Sequence, residues 1–174
     1  MRDSDDLWVF GYGSLMWRPG FAFEEQCPAR VHGYHRSLCI FSHVHRGTPE
    51  KPGLVLGLDM GGLCQGLAFR VAASHREATL TYLREREQVT AVYVEKWVPA
   101  KLEDGRQIEA VAYVVDPAHA QYAGRLPHAE LVRLVRQGHG VSGANVDYIR
   151  ATFDHLVDAG IEDPDLAALV AEIS

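Results

Sequence analysis

The sequence predicts an α+β fold, a mostly antiparallel curved sheet or barrel with flanking helices. Short β-branched and aromatic runs fill the first half of the chain, and glycine-bearing turns separate several of them. Apolar residues at helical spacing fill the second half. With 174 residues and neither a linker nor an internal repeat, one domain spanning 1–174 is the expected organisation.

The elements follow in order. Residues 7–12 are apolar, aromatic and short, and end at a glycine turn. Residues 29–41 carry strand-forming side chains around Gly33, either as two strands or as one with a bend. Residues 54–58 and 63–71 flank Asp59-Met60-Gly61-Gly62, which predicts a hairpin. A second hairpin is predicted from 92–94 through Glu103-Asp104-Gly105-Arg106 to 110–115, its Asp-Gly pair suiting a tight primed turn. Ser74-His75-Arg76-Glu77 has the form of a capping box, opening a helix that runs to about Glu87. Pro127 starts a second helix that stops near Gly138. A third begins around Asn145 and ends before Gly160, and a fourth spans 163–173.

Composition excludes several classes. Hydrophobic residues make up 47% and charged residues 23%, a globular mix that argues against disorder. Seventeen Lys and Arg against 23 Asp and Glu leave a net charge of −6. That balance attracts neither phosphate backbones nor anionic membranes, so no nucleic acid and no membrane partner is expected. Cys27, Cys39 and Cys64 are odd in number and form no C-x-x-C pair, so neither a disulfide framework nor a zinc ribbon is indicated. The acidic start of the chain is wrong for a signal peptide, and the expected home is a reducing cytoplasm.

Two features carry chemistry. Gly11-Tyr12-Gly13-Ser14-Leu15 permits a sharp turn whose backbone N–H groups converge on an anion, although such a turn also serves as a plain connector. It is not a dinucleotide fingerprint, because Met16 stands where the third glycine would be. On the predicted helix, at about 100° per residue, Glu87 falls about 20° from Leu80, on the stripe that also carries Leu83. Glu85 lies about 140° from Leu80, on the polar side. Glu87 is thus the carboxylate the apolar stripe carries inward, set against the commoner fate of a Glu turned to solvent at a fraying helix end. On a strand His43 and His45 would face the same side and could share an ion, but no spacing supplies a third ligand and no metal is expected. Cys39 and Cys64 lie in apolar strand patterns of the kind that bury inert thiols.

Phe10-Gly11-Tyr12-Gly13-Ser14-Leu15-Met16-Trp17 resembles the opening signature of the ChaC-like γ-glutamylcyclotransferases. Five further pieces fall in the family's order. They are His45-Arg46-Gly47-Thr48 with Lys51-Pro52-Gly53, Gly66-Leu67-Ala68-Phe69-Arg70, Arg86-Glu87, Leu102-Glu103-Asp104-Gly105-Arg106, and Ser142-Gly143-Ala144-Asn145-Val146-Asp147-Tyr148. The match spans residues 8–166. Two departures concern substrate grip. Residues 88–91 lack the glycine pair of eukaryotic members, and Val44 stands where those often have Asp.

The resemblance implies an enzyme that turns the α-amine of a γ-glutamyl compound onto its own γ-carbonyl. For glutathione the products are 5-oxoproline and Cys-Gly. It implies no cofactor, a small-molecule substrate (glutathione or another γ-glutamyl peptide), and a monomer or weak homodimer. It makes Glu87 the catalytic base and acid, the glutamate that helical geometry selects independently. Val9, Phe10, Gly11, Tyr12, Gly13, Ser14 and Leu15 would hold the glutamyl end, with Arg46 and Tyr148 as further contacts. A cyclotransferase for other γ-glutamyl amines, or a binding module without turnover, is the alternative.

Overall fold

A computed structural model describes residues 6–87 and 92–173. The chain divides into two compact units. The first, built from residues 1–36 and 58–119, holds the greater part of a closed barrel. Its strands are β1 (Leu7–Gly11), β2 (Glu25–Ser42), β3 (Gly53–Val71), β4 (Tyr93–Leu102) and β5 (Gln107–Val115), in the order β1-β3-β2-β4-β5. β1 with β3, β2 with β4 and β4 with β5 pair antiparallel, while β1 and β5 meet in parallel at Val9 and Val111. Helix α1 (Arg76–Glu87) packs on this barrel. Its Leu80 and Leu83 share one buried cluster with Leu7, Val9, Leu15, Phe69, Val71, Val111 and Tyr113.

Three expectations change. The hairpin expected at Asp59-Met60-Gly61-Gly62 is not formed, because β3 runs straight through as one strand. Gly61 and Gly62, at φ 100° and 79°, bend the strand without reversing it. Its neighbour β2 bends at Gly33 (φ 95°) and answers the Gly33 alternative as one strand with a bend. His35 Nδ1 lies 2.8 Å from the Gly61 carbonyl, tying the two together. The β4–β5 turn is wider than a two-residue primed turn. The Gly105 N–H donates to Leu102 O at 2.9 Å and the Leu102 N–H to Arg106 O at 2.8 Å, with Gly105 at φ 96°. Helix α1 begins at Arg76, after a 3-10 turn over Ala73–His75, and not at Ser74. Asp6 accepts the Ala73 N–H at 3.0 Å, so an aspartate far off in sequence meets the donor at the entry to this turn.

The second unit, residues 37–57 and 120–174, carries α2 (His128–Gln137), α3 (Asn145–Asp158) and α4 (Pro164–Ile173), which pack on one another. Pro127 is the N-cap of α2, one residue before the helix it was expected to start. A two-residue hairpin, β6 (His139–Gly140) with β7 (Gly143–Ala144), lies between α2 and α3. Strands this short have no periodicity to read.

Asn145, fully buried at the start of α3, holds this unit together. Its Oδ1 accepts the Leu54 N–H at 2.8 Å and its Nδ2 donates to Leu54 O at 2.9 Å, so the amide acts as a one-residue strand partner. The approach needs glycine. A Cβ on Gly53 would sit 2.8 Å from Asn145 Oδ1, and one on Gly138 would sit 3.0 Å from Asn145 Cβ. Asn145→Ala therefore orphans a buried donor and a buried acceptor, each costing roughly 1–3 kcal/mol. Chemical denaturation should show a loss of about 2–6 kcal/mol, with Asn145→Asp, which keeps the acceptor, falling in between. A loss below 1 kcal/mol for Asn145→Ala, about one group's minimum, would remove this role.

Candidate active site

The first unit brings the glycine turn and the end of α1 together. β1 delivers the chain to Gly11, and a 3-10 turn over Ser14–Met16 follows at once. Close packing here requires Gly66 on β3, because a Cβ there would overlap the Gly11 carbonyl. On the turn itself, a Cβ on Gly11 would meet the Leu15 Cβ at 3.0 Å. Val9, Phe10 and Leu15 point their side chains into the core, so what they offer a ligand is backbone.

The turn uses its own carbonyls. Gly13 O accepts from Met16 N–H at 2.9 Å, and Ser14 O accepts from Arg18 N–H at 2.8 Å. No side chain caps its start. The Ser14 and Leu15 N–H groups stand at the start of the turn, before the donors that close it. Arg36 on β2 sets the preceding peptide. Its Nε donates to Tyr12 O at 2.7 Å and its Nη2 to Gln65 O at 2.6 Å. A trans peptide carries its C=O and N–H on opposite sides, so this bond aims the Gly13 N–H away from Arg36.

Glu87 ends α1 on the stripe already clamped by Leu80 and Leu83, and its side chain is 16% exposed. Glu85, one helix face away, is exposed. Burial pushes the Glu87 carboxyl above the ordinary range, and the Arg86 guanidinium, with Nε 3.3 Å from Oε2, pulls the other way without cancelling it. Arg86 also donates through Nη2 to Ser14 Oγ at 3.0 Å. The serine of the glycine motif and the glutamate of the helix therefore meet the same guanidinium. Burial first, and then its hydrogen bond to Glu95 Oε1 at 2.8 Å, push the Tyr113 phenol on β5 up, and the Glu87 charge adds a smaller push in the same direction. Arg84 grips the same Glu95 through Nε and Nη2 at 2.8 and 3.1 Å, holding its carboxyl below the usual range.

Arg46 and Tyr148 are together in the second unit. The Arg46 guanidinium carbon lies 5.5 Å from the centre of the Tyr148 ring, and its Nη1 donates to Ala144 O at 3.2 Å. The Tyr148 hydroxyl accepts the Leu56 N–H at 3.0 Å. No carboxylate stands against Arg46 among the described residues. His43 stacks on Phe41 and His45 Nδ1 lies 2.9 Å from Ser142 Oγ. No group of three or more His, Cys, Asp or Glu suited to a metal occurs among the described residues. Cys39 and Cys64 are buried, as expected. Residues 88–91, where the glycine pair of eukaryotic members is missing, lie outside the described residues.

The sequence reading missed Arg36 and Arg86 as shapers of this site. Each acts on backbone more than twenty residues away, and no local pattern marks such a contact.

Comparison with known proteins places the chain in a family. The family model described as ChaC-like protein matches residues 7–174. A glutathione-specific γ-glutamylcyclotransferase of Escherichia coli (strain K12) is 34% identical over 171 residues, covering 98% of this chain and 74% of that protein. Glutathione-specific γ-glutamylcyclotransferase 1 of Homo sapiens is 35% identical over 174 residues, covering 97% of this chain and 78% of that one. A crystal structure of the glutathione-specific enzyme from yeast superposes with TM-score 0.83 at 23% identity, over 97% of both chains, and so shares the fold.

A carboxyl whose pKa rises on folding contributes stability below its unfolded value, near 4.3, and loses it as pH rises through the folded one. Glu87→Gln removes that loss. The variant should melt within a degree or so of the parent at pH 4 and a few degrees above it at pH 8 (about 2–4 °C per kcal/mol), measured by circular dichroism. A variant that melts lower at pH 8 would mean that Arg86 outweighs burial.

Proposed function

Because the chain belongs to the ChaC-like family, we propose that it is a γ-glutamylcyclotransferase acting on glutathione. The observation that carries the reading is Glu87, a carboxyl desolvated at the end of an apolar stripe and joined through Arg86 to the glycine turn. A binding module gains nothing from burying an acid, whereas a proton shuttle needs a pKa nearer neutrality than that of a free Glu.

The chemistry follows from what these residues can do. The substrate's α-ammonium gives a proton to the Glu87 carboxylate, and the freed amine attacks the γ-carbonyl carbon. Negative charge develops on the carbonyl oxygen, where the backbone N–H groups of the turn serve as fixed donors. The attacking nitrogen sheds its second proton to water, the C–N bond to the cysteine nitrogen breaks, and protonated Glu87 returns its proton to that nitrogen. The products are 5-oxoproline and Cys-Gly. Ring closure is intramolecular, and holding the glutamyl chain folded supplies up to about 7–11 kcal/mol in favourable models. The nucleophile belongs to the substrate, so no step calls for a cofactor or metal. Val9 to Leu15 are assigned to the glutamyl end, mostly through backbone. The family resemblance assigns Arg46 and Tyr148 as further substrate contacts.

Glu87→Gln should lower turnover about 10²–10⁴-fold, the usual share of a general acid–base group, while Glu85→Gln stays within twofold of the parent. Equal activity in both variants would end this assignment of the base. Glutathione should give 5-oxoproline and Cys-Gly in equal amounts with no glutamate, before and after dialysis against EDTA. N-acetylated glutathione should be inert at concentrations where it competes with glutathione, because acylation removes the nucleophile. Release of Cys-Gly from the acetylated compound would sink the mechanism. Faster release from other γ-glutamyl amines would keep the mechanism and change the substrate.

A further inference from the structure

Arg86 has more partners than an exposed helix-end arginine needs. Its side chain is 19% exposed, and its three nitrogens reach three different pieces of the first unit. Nε faces Glu87 Oε2 at 3.3 Å, and Nη2 donates to Ser14 Oγ at 3.0 Å. Nη1 donates to Arg18 O at 2.7 Å, to Pro19 O at 3.1 Å and to the Tyr82 hydroxyl at 3.0 Å. The segment beyond the turn is pressed onto the same place, since a Cβ on Gly20 (φ 78°) would run into that hydroxyl. Tyr82 is in turn set edge-on to Phe21, with ring centres 6.4 Å apart.

We propose that Arg86 is a positioning residue for the reaction, one guanidinium that fixes the substrate-holding turn and the proton-carrying Glu87 to a common origin. The inference rests on the assignment of Glu87 as base and names the group that sets where that base stands. Geometry supports it in two ways. The guanidinium is a planar fork whose nitrogens point along fixed, separate directions, so satisfying Ser14 and the two carbonyls determines where Nε lies. That nitrogen then engages Oε2, while Oε1 has no partner among the described residues and is the oxygen assigned to the proton. A lysine at this position keeps the charge and loses the fork.

The charge has its own consequence. The groups that act on Glu87 are Arg86 from α1, whose Nη2 is bound to the Ser14 hydroxyl of the turn, and Tyr113 from β5, whose hydroxyl is committed to Glu95 of β4, itself paired with Arg84. Among these Arg86 is the cation in contact, and it favours the ionised form that accepts a proton.

The test is the pH profile of kcat/KM for 5-oxoproline release by the full chain, with kcat and KM at pH 8, for the parent, Arg86→Lys and Arg86→Met. Arg86→Met should move the acid limb up by about one unit, the size of a single close charge partner. Arg86→Lys should leave the limb in place but lower kcat at least tenfold, because charge survives and alignment does not. Parent-like kinetics in Arg86→Lys would overturn the positioning role, and an unmoved limb in Arg86→Met would overturn the electrostatic one. If Arg86→Met does not fold, Arg86→Lys alone decides. Glu87→Gln assayed alongside separates the two levels. If it retains turnover, the base was misassigned, whereas loss in Glu87→Gln beside parent-like Arg86 variants refutes only the inference about Arg86.

Discussion

Leu80 and Leu83 are locked into the core of the barrel, and a helix that turns about 100° per residue has no freedom left at Glu87 once they are seated. The carboxyl is carried into a place where water is scarce and its charge is costly. Much of the neighbouring structure answers that cost without removing it. Arg86 offsets part of it, and Tyr113, which sits close by, has its hydroxyl bound to Glu95. A carboxyl whose ionised form is made costly is poor for stability and suited to moving protons.

The turn after β1 is a second constraint, of backbone and not of charge. Gly11 and Gly66 allow two chain segments to approach more closely than any side chain permits. Arg36 and Arg86 then fix the turn from outside by engaging its carbonyls and its serine. Two arginines therefore face carbonyl oxygens where ion pairing would be the ordinary expectation. Donating to carbonyls orients peptides, and oriented peptides present N–H groups in a fixed direction. The second unit uses the same devices. Gly47, Gly53, Gly138 and Gly140 pack backbone against backbone around residues 42–53, and Asn145 completes the missing strand bonds.

Several of these parts were legible as text. Glu87 stood out because helical periodicity is local, and the eight residues from Leu80 to Glu87 suffice to place it on a face. The glycine turn, the β4–β5 hairpin and the four helices were legible for the same reason. The Asp59–Gly62 hairpin was misread because two glycines after an Asp describe a bend equally well. Whether such a bend reverses the chain depends on which strand pairs alongside. Here β2 is that neighbour, and it bends at its own glycine. The β6–β7 hairpin escaped notice because two residues carry no alternation.

The sequence by itself determined the α+β class, the strand that ends in the glycine turn, and the helix face on which a single carboxylate points inward. Tertiary structure alone decided what meets that carboxylate. Ser14 lies 72 residues from Arg86, Tyr12 lies 24 from Arg36, and Asn145 lies 91 from Leu54. Periodicity is a property of neighbours along the chain and can be read from it. Desolvation and hydrogen-bond partnership are sums over atoms brought from distant segments, and they have no value until the barrel has closed.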